Sequence, residues 1–329
     1  MTDVPISALA VTARHETWPL REAFKISRGA KSAADVVVVT VSNGQITGRG
    51  EAVPYGRYGE TIEGTLSAIS NLQPIFPTTN MQNVLPAGAA RNALDCALGD
   101  FLRKDCQTSV AHVLRVGDLK PVLTAFTLSL DTPEVMAAKA RDAHHLPLLK
   151  LKLGGAGDAD RMRAVRAARP DARLIADANE AWTPDMLPPL LALAAELGFE
   201  TIEQPLPEGA DDVLRTVHKP LPVCADESVH TVDDLPRLAG LYEGINIKLD
   251  KAGGLVSALE LQRAARACGM KIMVGSMVAT SLAIAPALIL AQDAEWTDLD
   301  GPLLLARDRE HGVQITDGVI APPSPALWG

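Results

Sequence analysis

Leu148-Leu149-Lys150-Leu151-Lys152-Leu153 reads as a buried strand that carries charge on one face only. Leucines alternate with lysines, so Lys150 and Lys152 point the same way, where unpaired charge is costly. Downstream of this stretch, polar residues recur every 22 to 26 positions: Asp177 with Asn179, then Glu203, Asp226 and Lys248. Each follows a short apolar run: Leu174-Ile175-Ala176, Thr201-Ile202, Val223-Cys224-Ala225 and Ile245-Asn246-Ile247. The interval is that of one strand, one helix and two loops. Polar residues at the ends of successive parallel strands converge at one mouth of a (β/α) barrel. Three carboxylates there, with lysines on two sides, form a divalent-cation site between two candidate bases.

The alternation of strand and helix extends from Pro121 to Leu299. Leu123 to Leu130 and Leu148 to Leu153 read as strands, with Pro133 to His144 and Asp158 to Ala168 as the helices after them. The apolar stretch Val278 to Ala291 is broken by Thr280, Ser281 and Pro286 and reads as a buried barrel helix. It is too short for a bilayer, which takes ~20 residues.

The first third is organised differently. Val36 to Val41 is a β-branched run, Asn43-Gly44 is a hairpin signal, and Gln45 to Ala52 is the returning strand. Thr61 to Leu72 and Ala87 to Leu102 have helical spacing. Near the end, Asp317-Gly318 lies between short apolar runs in Val313 to Ile320, a last hairpin that could pack back on the first domain. The predicted fold class is therefore α/β: a (β/α)7β TIM-like barrel over 119–300, an α+β capping domain over 1–118, and a C-terminal segment over 301–329 that completes the cap.

The net charge of −9, without a basic block, argues against nucleic acid as a partner. Cys96, Cys106, Cys224 and Cys268 are scattered and form no CxxC pair, which is the pattern of reduced thiols. Met1 to Ala10 has no basic start followed by an apolar run, so no signal peptide and no membrane association are expected, and the location expected is cytoplasmic. The seven histidines show no metal-ligand spacing.

The motifs Lys150-Leu-Lys152, Asp177-Ala-Asn179, Glu203-Gln204-Pro205, Asp226-Glu227-Ser228 and Lys248-Leu-Asp250-Lys251 resemble the enolase superfamily, muconate lactonizing enzyme subgroup. Asp298-Leu-Asp300 is similar to the Asp-x-Asp signature of dipeptide epimerases within it. Tyr55 to Glu60 and Leu85 to Leu98 resemble bacterial L-Ala-D/L-Glu epimerases.

The resemblance implies an isomerase that inverts an α-carbon through an enediolate. Asp177, Glu203 and Asp226 would hold one Mg²⁺, with Asn179 fixing a ligand or a metal-bound water. Lys152 and Lys248 would be the two bases, their pKa lowered by burial and neighbouring positive charge, and Lys150 would stabilise the enediolate oxygen. Asp298 and Asp300 suit a substrate ammonium. Arg28, with Arg21, Lys25, Lys31 and Arg57 as rivals, suits a side-chain carboxylate. Thr127, Ser276 and Met277 are expected to line the pocket, and Tyr55 and Tyr58 could shape a lid. The expected partner is a small dipeptide, and a homo-oligomer is compatible with the chain.

Four other readings compete. A metal hydrolase needs only one base. A cycloisomerase or o-succinylbenzoate synthase has no ammonium for Asp298 and Asp300 to meet. An N-acylamino acid racemase keeps the two bases. A barrel that only binds would not need the full set.

Overall fold

The computed structural model describes residues 8–72, Ile75 and 79–329. Most of the stretch read above for a leader, residues 1–7, lies outside them.

The N-terminal sheet is antiparallel in the order β1 (Ala10–Ile26), β2 (Gly29–Ser42) and β3 (Thr47–Ala52). The valine run falls on β2, where the pleat sorts it into two cores. Val37, Val39 and Val41 pack on the cap helix Ala89–Cys106, whereas Val36 and Val38 join the core that surrounds the barrel. Both faces of this sheet are covered, so the strand is continuously apolar rather than alternating. At the hairpin, the Asn43 side chain accepts from the Gln45 and Ile46 amides at 3.0 and 2.8 Å, an Asx turn. Helix Ile62–Ser70 starts at Thr61, whose hydroxyl accepts from Gly64 N.

The run predicted as one strand over Leu123 to Leu130 is split. β4 (Val122–Leu123) belongs to a small sheet, and β5 (Phe126–Leu128) opens the barrel. The barrel continues through β6 (Leu148–Lys152), β7 (Arg173–Asp177), β8 (Phe199–Glu203), β9 (Val223–Ala225), β10 (Gly244–Ile247), β11 (Lys271–Gly275) and β12 (Trp296–Asp298). All neighbours are parallel, and Ala125 N donates to Thr297 O at 2.8 Å to bring the last strand against the first. The inward residues change character along the axis. Leu148, Ile175, Cys224, Met273 and Trp296 form an apolar layer low in the barrel, and charged residues take over toward the C-terminal ends. Helix Ser281–Ala291 is buried along almost its whole length and packs outside the strands, as its apolar sequence predicts.

The C-terminal hairpin forms, as β13 (Ile315–Thr316) and β14 (Val319–Ile320), but β14 pairs with β4 and not with the cap sheet. Its two short apolar runs leave the choice of partner open. The segment still reaches the cap, first where Leu305 bridges Leu20 and Arg309 pairs with Glu16 and Glu51, and again at its end, where the Trp328 indole donates to Cys96 O and Arg49 donates to the carbonyls of Ala326 and Leu327.

Candidate active site

Strand register places the functional groups. Lys152 is paired with Asp177 and Asp177 with Glu203 across β6, β7 and β8, so the three stand at one level. Asp226 and Lys248 follow β9 and β10 directly. Single carboxylate oxygens of Asp177, Glu203 and Asp226 lie within 4.8 Å of one another, and all three residues are buried.

Each acid also touches a lysine. Lys152 Nζ is 2.6 Å from Asp177 Oδ2, and Lys248 Nζ is 2.6 Å from Asp226 Oδ2. Lys150 is fully buried between Asp298 at 2.6 Å, Glu203 at 2.5 Å and Asp177 at 3.7 Å. Two further groups brace the acids. Lys251 reaches Asp226 Oδ1 and the Asp226 carbonyl, both at 2.5 Å, and Asn246 Nδ2 donates to Glu203 Oε1 at 2.7 Å. Asn179 donates to Asp177 from its backbone and its side chain, at 2.8 and 2.9 Å.

The electrostatics follow from burial and this crowding. Burial and the adjacent Asp177 push Glu203 up to about 7. Burial acts the same way on Asp226, but Lys248 and Lys251 outweigh it and hold that carboxyl well below its usual range. The expectation of a lowered pKa is reversed for Lys248, one of the two candidate bases. Burial favours a lower pKa, yet Asp298 and the triad acids hold Lys150 well above its ordinary range, and Asp226 and Glu203 do the same to Lys248. Carboxylates from other strands approach these ammonium groups to 2.6 Å, a closeness that spacing along the chain does not report.

The donor set fits a hard divalent cation. It offers three converging buried carboxylate oxygens. Asp177, Glu203 and Asp226 can hold one metal ion.

A cavity of about 220 Å³ lies over the triad between barrel and cap. Thr127, Ser276, Met277, Asp298 and Asp300 line it from the barrel, and Arg28, Lys31, Tyr55 and Tyr58 line it from the cap. Asp300 accepts from Thr127 N at 2.6 Å, and burial beside Asp298 raises it to about 7. Arg28 lines the cavity, but its guanidinium is already engaged with Glu227 at 2.7 Å, Glu180 at 3.1 Å and the Asn179 carbonyl at 3.1 Å. Lys31 lines the same space, exposed, with its ammonium 5.1 Å from the Tyr55 ring centre and, among the described residues, no salt bridge. Arg57 closes the Tyr55–Gly59 loop onto the barrel through Glu180, at 2.8 and 3.0 Å. Of the other rivals, Arg21 donates to Leu305 O and Lys25 pairs with Asp131.

An eight-stranded parallel barrel whose mouth holds three buried acids between lysines from opposed strands defines an enzyme of the enolase type. Residues 134–326 match the profile described as enolase C-terminal domain-like, and residues 8–114 match the mandelate racemase / muconate lactonizing enzyme N-terminal domain. The chain belongs to this mandelate racemase / muconate lactonizing enzyme family, and it is an epimerase of the enolase superfamily.

It is 45% identical to an L-Ala-D/L-Glu epimerase of Escherichia coli, over 92% of this chain and 96% of that one. It is 42% identical to an N-acetyl-D-glutamate racemase of a Pseudoalteromonas species, over 89% and 95%. Among solved structures, an enolase family member from Agrobacterium tumefaciens with bound sodium and L-Ala-L-Glu superposes with a TM-score of 0.94 at 45% identity, covering 98% of this chain and all of that one. A dipeptide epimerase from Enterococcus faecalis complexed with Mg and L-Leu-L-Tyr gives 0.88 at 29%, covering 97% of each chain.

Proposed function

We propose that the protein epimerises L-Ala-D/L-Glu-type dipeptides at the C-terminal residue by a Mg²⁺-dependent 1,1-proton transfer between two lysines. The observation that carries this is the placement of Lys152 and Lys248 on opposite sides of the triad, each 2.6 Å from one of its acids. Lys152 takes the α-proton from one face, and Lys248 returns a proton to the other. In the reverse direction the roles exchange. Lys150, buried among carboxylates, stays protonated and donates to the enediolate oxygen. Mg²⁺ bound to Asp177, Glu203 and Asp226 supplies Lewis-acid neutralisation of the substrate carboxylate and offsets the acids that hold Lys248 protonated. The ligand bound to the Agrobacterium relative and the activity of the Escherichia coli relative support the Ala-Glu assignment.

Asp298 and Asp300 receive the dipeptide's ammonium, as in the dipeptide epimerase signature. For the glutamate side chain, Arg28 already spends its donors on Glu227 and Glu180, so direct contact falls to Lys31 while Arg28 braces the loop. Such a dipeptide is a fragment of cell-wall peptide, and this reading accordingly assigns the enzyme a role in murein peptide recycling in the cytoplasm. Among the described residues no helix is long and apolar enough to cross a membrane.

The Pseudoalteromonas relative favours a second substrate, N-acetylglutamate, on the same two-base site. Proton NMR of L-Ala-L-Glu and of N-acetyl-L-glutamate in D₂O separates the two. The dipeptide reading expects α-proton loss with appearance of L-Ala-D-Glu at a kcat/KM well above that for N-acetylglutamate. Faster turnover of N-acetylglutamate overturns it.

A further inference from the structure

The stretch Leu85 to Leu98 is part of the motif set, yet none of its residues enters the chemistry above. Its helix, Ala89–Cys106, belongs to the cap, and three of its side chains reach the chain that follows Lys248. Arg91 donates to Gly253 O at 2.9 Å and to Ala252 O at 2.7 Å. Asn92 Nδ2 donates to Asp250 Oδ1 at 2.8 Å, where Val53 N also donates at 3.1 Å. Asp95 Oδ2 accepts from Leu255 N at 2.7 Å, at the start of helix Leu255–Ala267.

These bonds bracket a single helical turn, Leu249–Ala252, whose N-cap is Lys248 itself. The approach is close. Gly253 and Gly254 have φ of 77° and 115°, and a Cβ on either would fall on Arg91 or Asp95. Lys251 of the same turn holds Asp226, the acid that Lys248 touches. No comparable cap contact reaches β6 next to Lys152 among the hydrogen bonds described. The N-terminus of the clamping helix is also tied to the mouth, since Glu60 accepts from Ala89 N at 2.7 Å and from Tyr55 N at 3.0 Å.

We propose that Arg91 and Asn92 are positioning residues for Lys248: the cap helix fixes the turn that aims one of the two bases, and makes no such bond to the strand that carries Lys152. The proposal rests on the two-lysine reading. A lysine ammonium displaced by about 1 Å from a proton in transfer can lose up to ~100-fold in rate. A clamp of this kind therefore acts on one face of the substrate, whereas a merely structural contact would weaken both faces alike.

The test is α-proton exchange into D₂O, followed by NMR from each diastereomer of L-Ala-Glu with Mg²⁺ saturating. Lys152→Ala and Lys248→Ala first assign which diastereomer reports which face. Arg91→Met and Asn92→Ala are then expected to slow exchange on the Lys248 face by roughly tenfold and to change the Lys152 face less than about twofold. Trp328→Phe loosens the same helix at Cys96 without touching the turn, and is expected to leave the ratio of the two faces unchanged. Thermal melts accompany each variant. If Asn92→Ala fails to fold, Arg91→Met alone decides. An equal fall on both faces, wild-type rates in a folded Arg91→Met, or the same asymmetry in Trp328→Phe overturns the clamp. If the single-lysine variants show no face preference, the two-base reading itself falls and takes the clamp with it, a result seen before any cap variant is read.

Discussion

Lys152 and Lys248 face one another across the barrel mouth, each 2.6 Å from a different acid of the same triad, Asp177 for the one and Asp226 for the other. β6 and β10 have three strands between them in either direction around the barrel. A substrate carboxylate bound to a cation held by the triad would present its α-carbon between the two lysines. Neither lysine could reach the other's face without crossing the acids.

The first prediction is face-specific loss. Lys248→Ala and Lys152→Ala each abolish interconversion of L-Ala-L-Glu and L-Ala-D-Glu, and each still exchanges the α-proton of one diastereomer only. NMR in D₂O reads both. A single variant that interconverts the diastereomers at near wild-type rate excludes two bases.

The second concerns the cation. Chelation with EDTA is expected to abolish turnover, and added Mg²⁺ to restore it. Asn246 orients Glu203 by one hydrogen bond at 2.7 Å, so Asn246→Ala is expected to lower Mg²⁺ affinity by roughly 10- to 100-fold in calorimetry. Unchanged affinity would remove Asn246 from the metal's support.

The barrel was legible because its mouth is written at regular spacing, and the alternation in Leu148 to Leu153 already aimed both lysines inward. The same alternation puts Asn246 on the face of Lys248, a signal available in the sequence but hidden within an apolar run. Lys251 was present in the motif, yet its role depends on a helical turn that bends it back onto Asp226, which spacing does not report. Strand β1 left little trace, since its 17 residues are mostly half-buried or exposed and carry Pro19 and a register shift between Pro19 and Phe24. Arg28 was visible as a cation at the mouth. Its capture by Glu227 and Glu180 depends on loops from three separate parts of the chain.

A third prediction follows from Asp250. It is buried, and burial pushes its carboxyl up to about 7 despite the hydrogen bonds from Asn92 and Val53. In the unfolded chain it titrates near ~3.9. Between those values the folded state keeps a proton that the unfolded state has released, so this group's contribution to stability falls as pH rises from about 4 to about 7. Asparagine accepts the same two N–H bonds and does not titrate. Urea melts across pH 4 to 8 are expected to show Asp250→Asn gaining on the wild type as pH rises and matching it most closely at the acid end. A constant difference across the range would show that Asp250 does not titrate there.

The last prediction concerns what the cavity selects. At the ammonium end, Asp298→Asn is expected to cost on the order of 2 kcal/mol, or roughly thirtyfold in kcat/KM for L-Ala-L-Glu. Part of that loss could pass through Lys150, which Asp298 holds at 2.6 Å. N-acetylation of the dipeptide isolates the substrate contact: it should cost the wild type a similar factor and the variant little more. Asp300, raised to about 7, carries more negative charge at pH 8 than at pH 6, so the loss in Asp300→Asn should grow over that interval. At the side-chain end, Lys31→Met should cost L-Ala-L-Glu far more than a dipeptide with an apolar second residue, because only the former offers a side-chain carboxylate to an ammonium that forms no salt bridge among the described residues. Arg28→Met should cost both substrates alike, since it releases Glu227 and Glu180 rather than a substrate contact. If Arg28→Met proves selective for glutamate and Lys31→Met does not, the two roles exchange. If N-acetylation is harmless to the wild type, Asp298 and Asp300 do not read an ammonium.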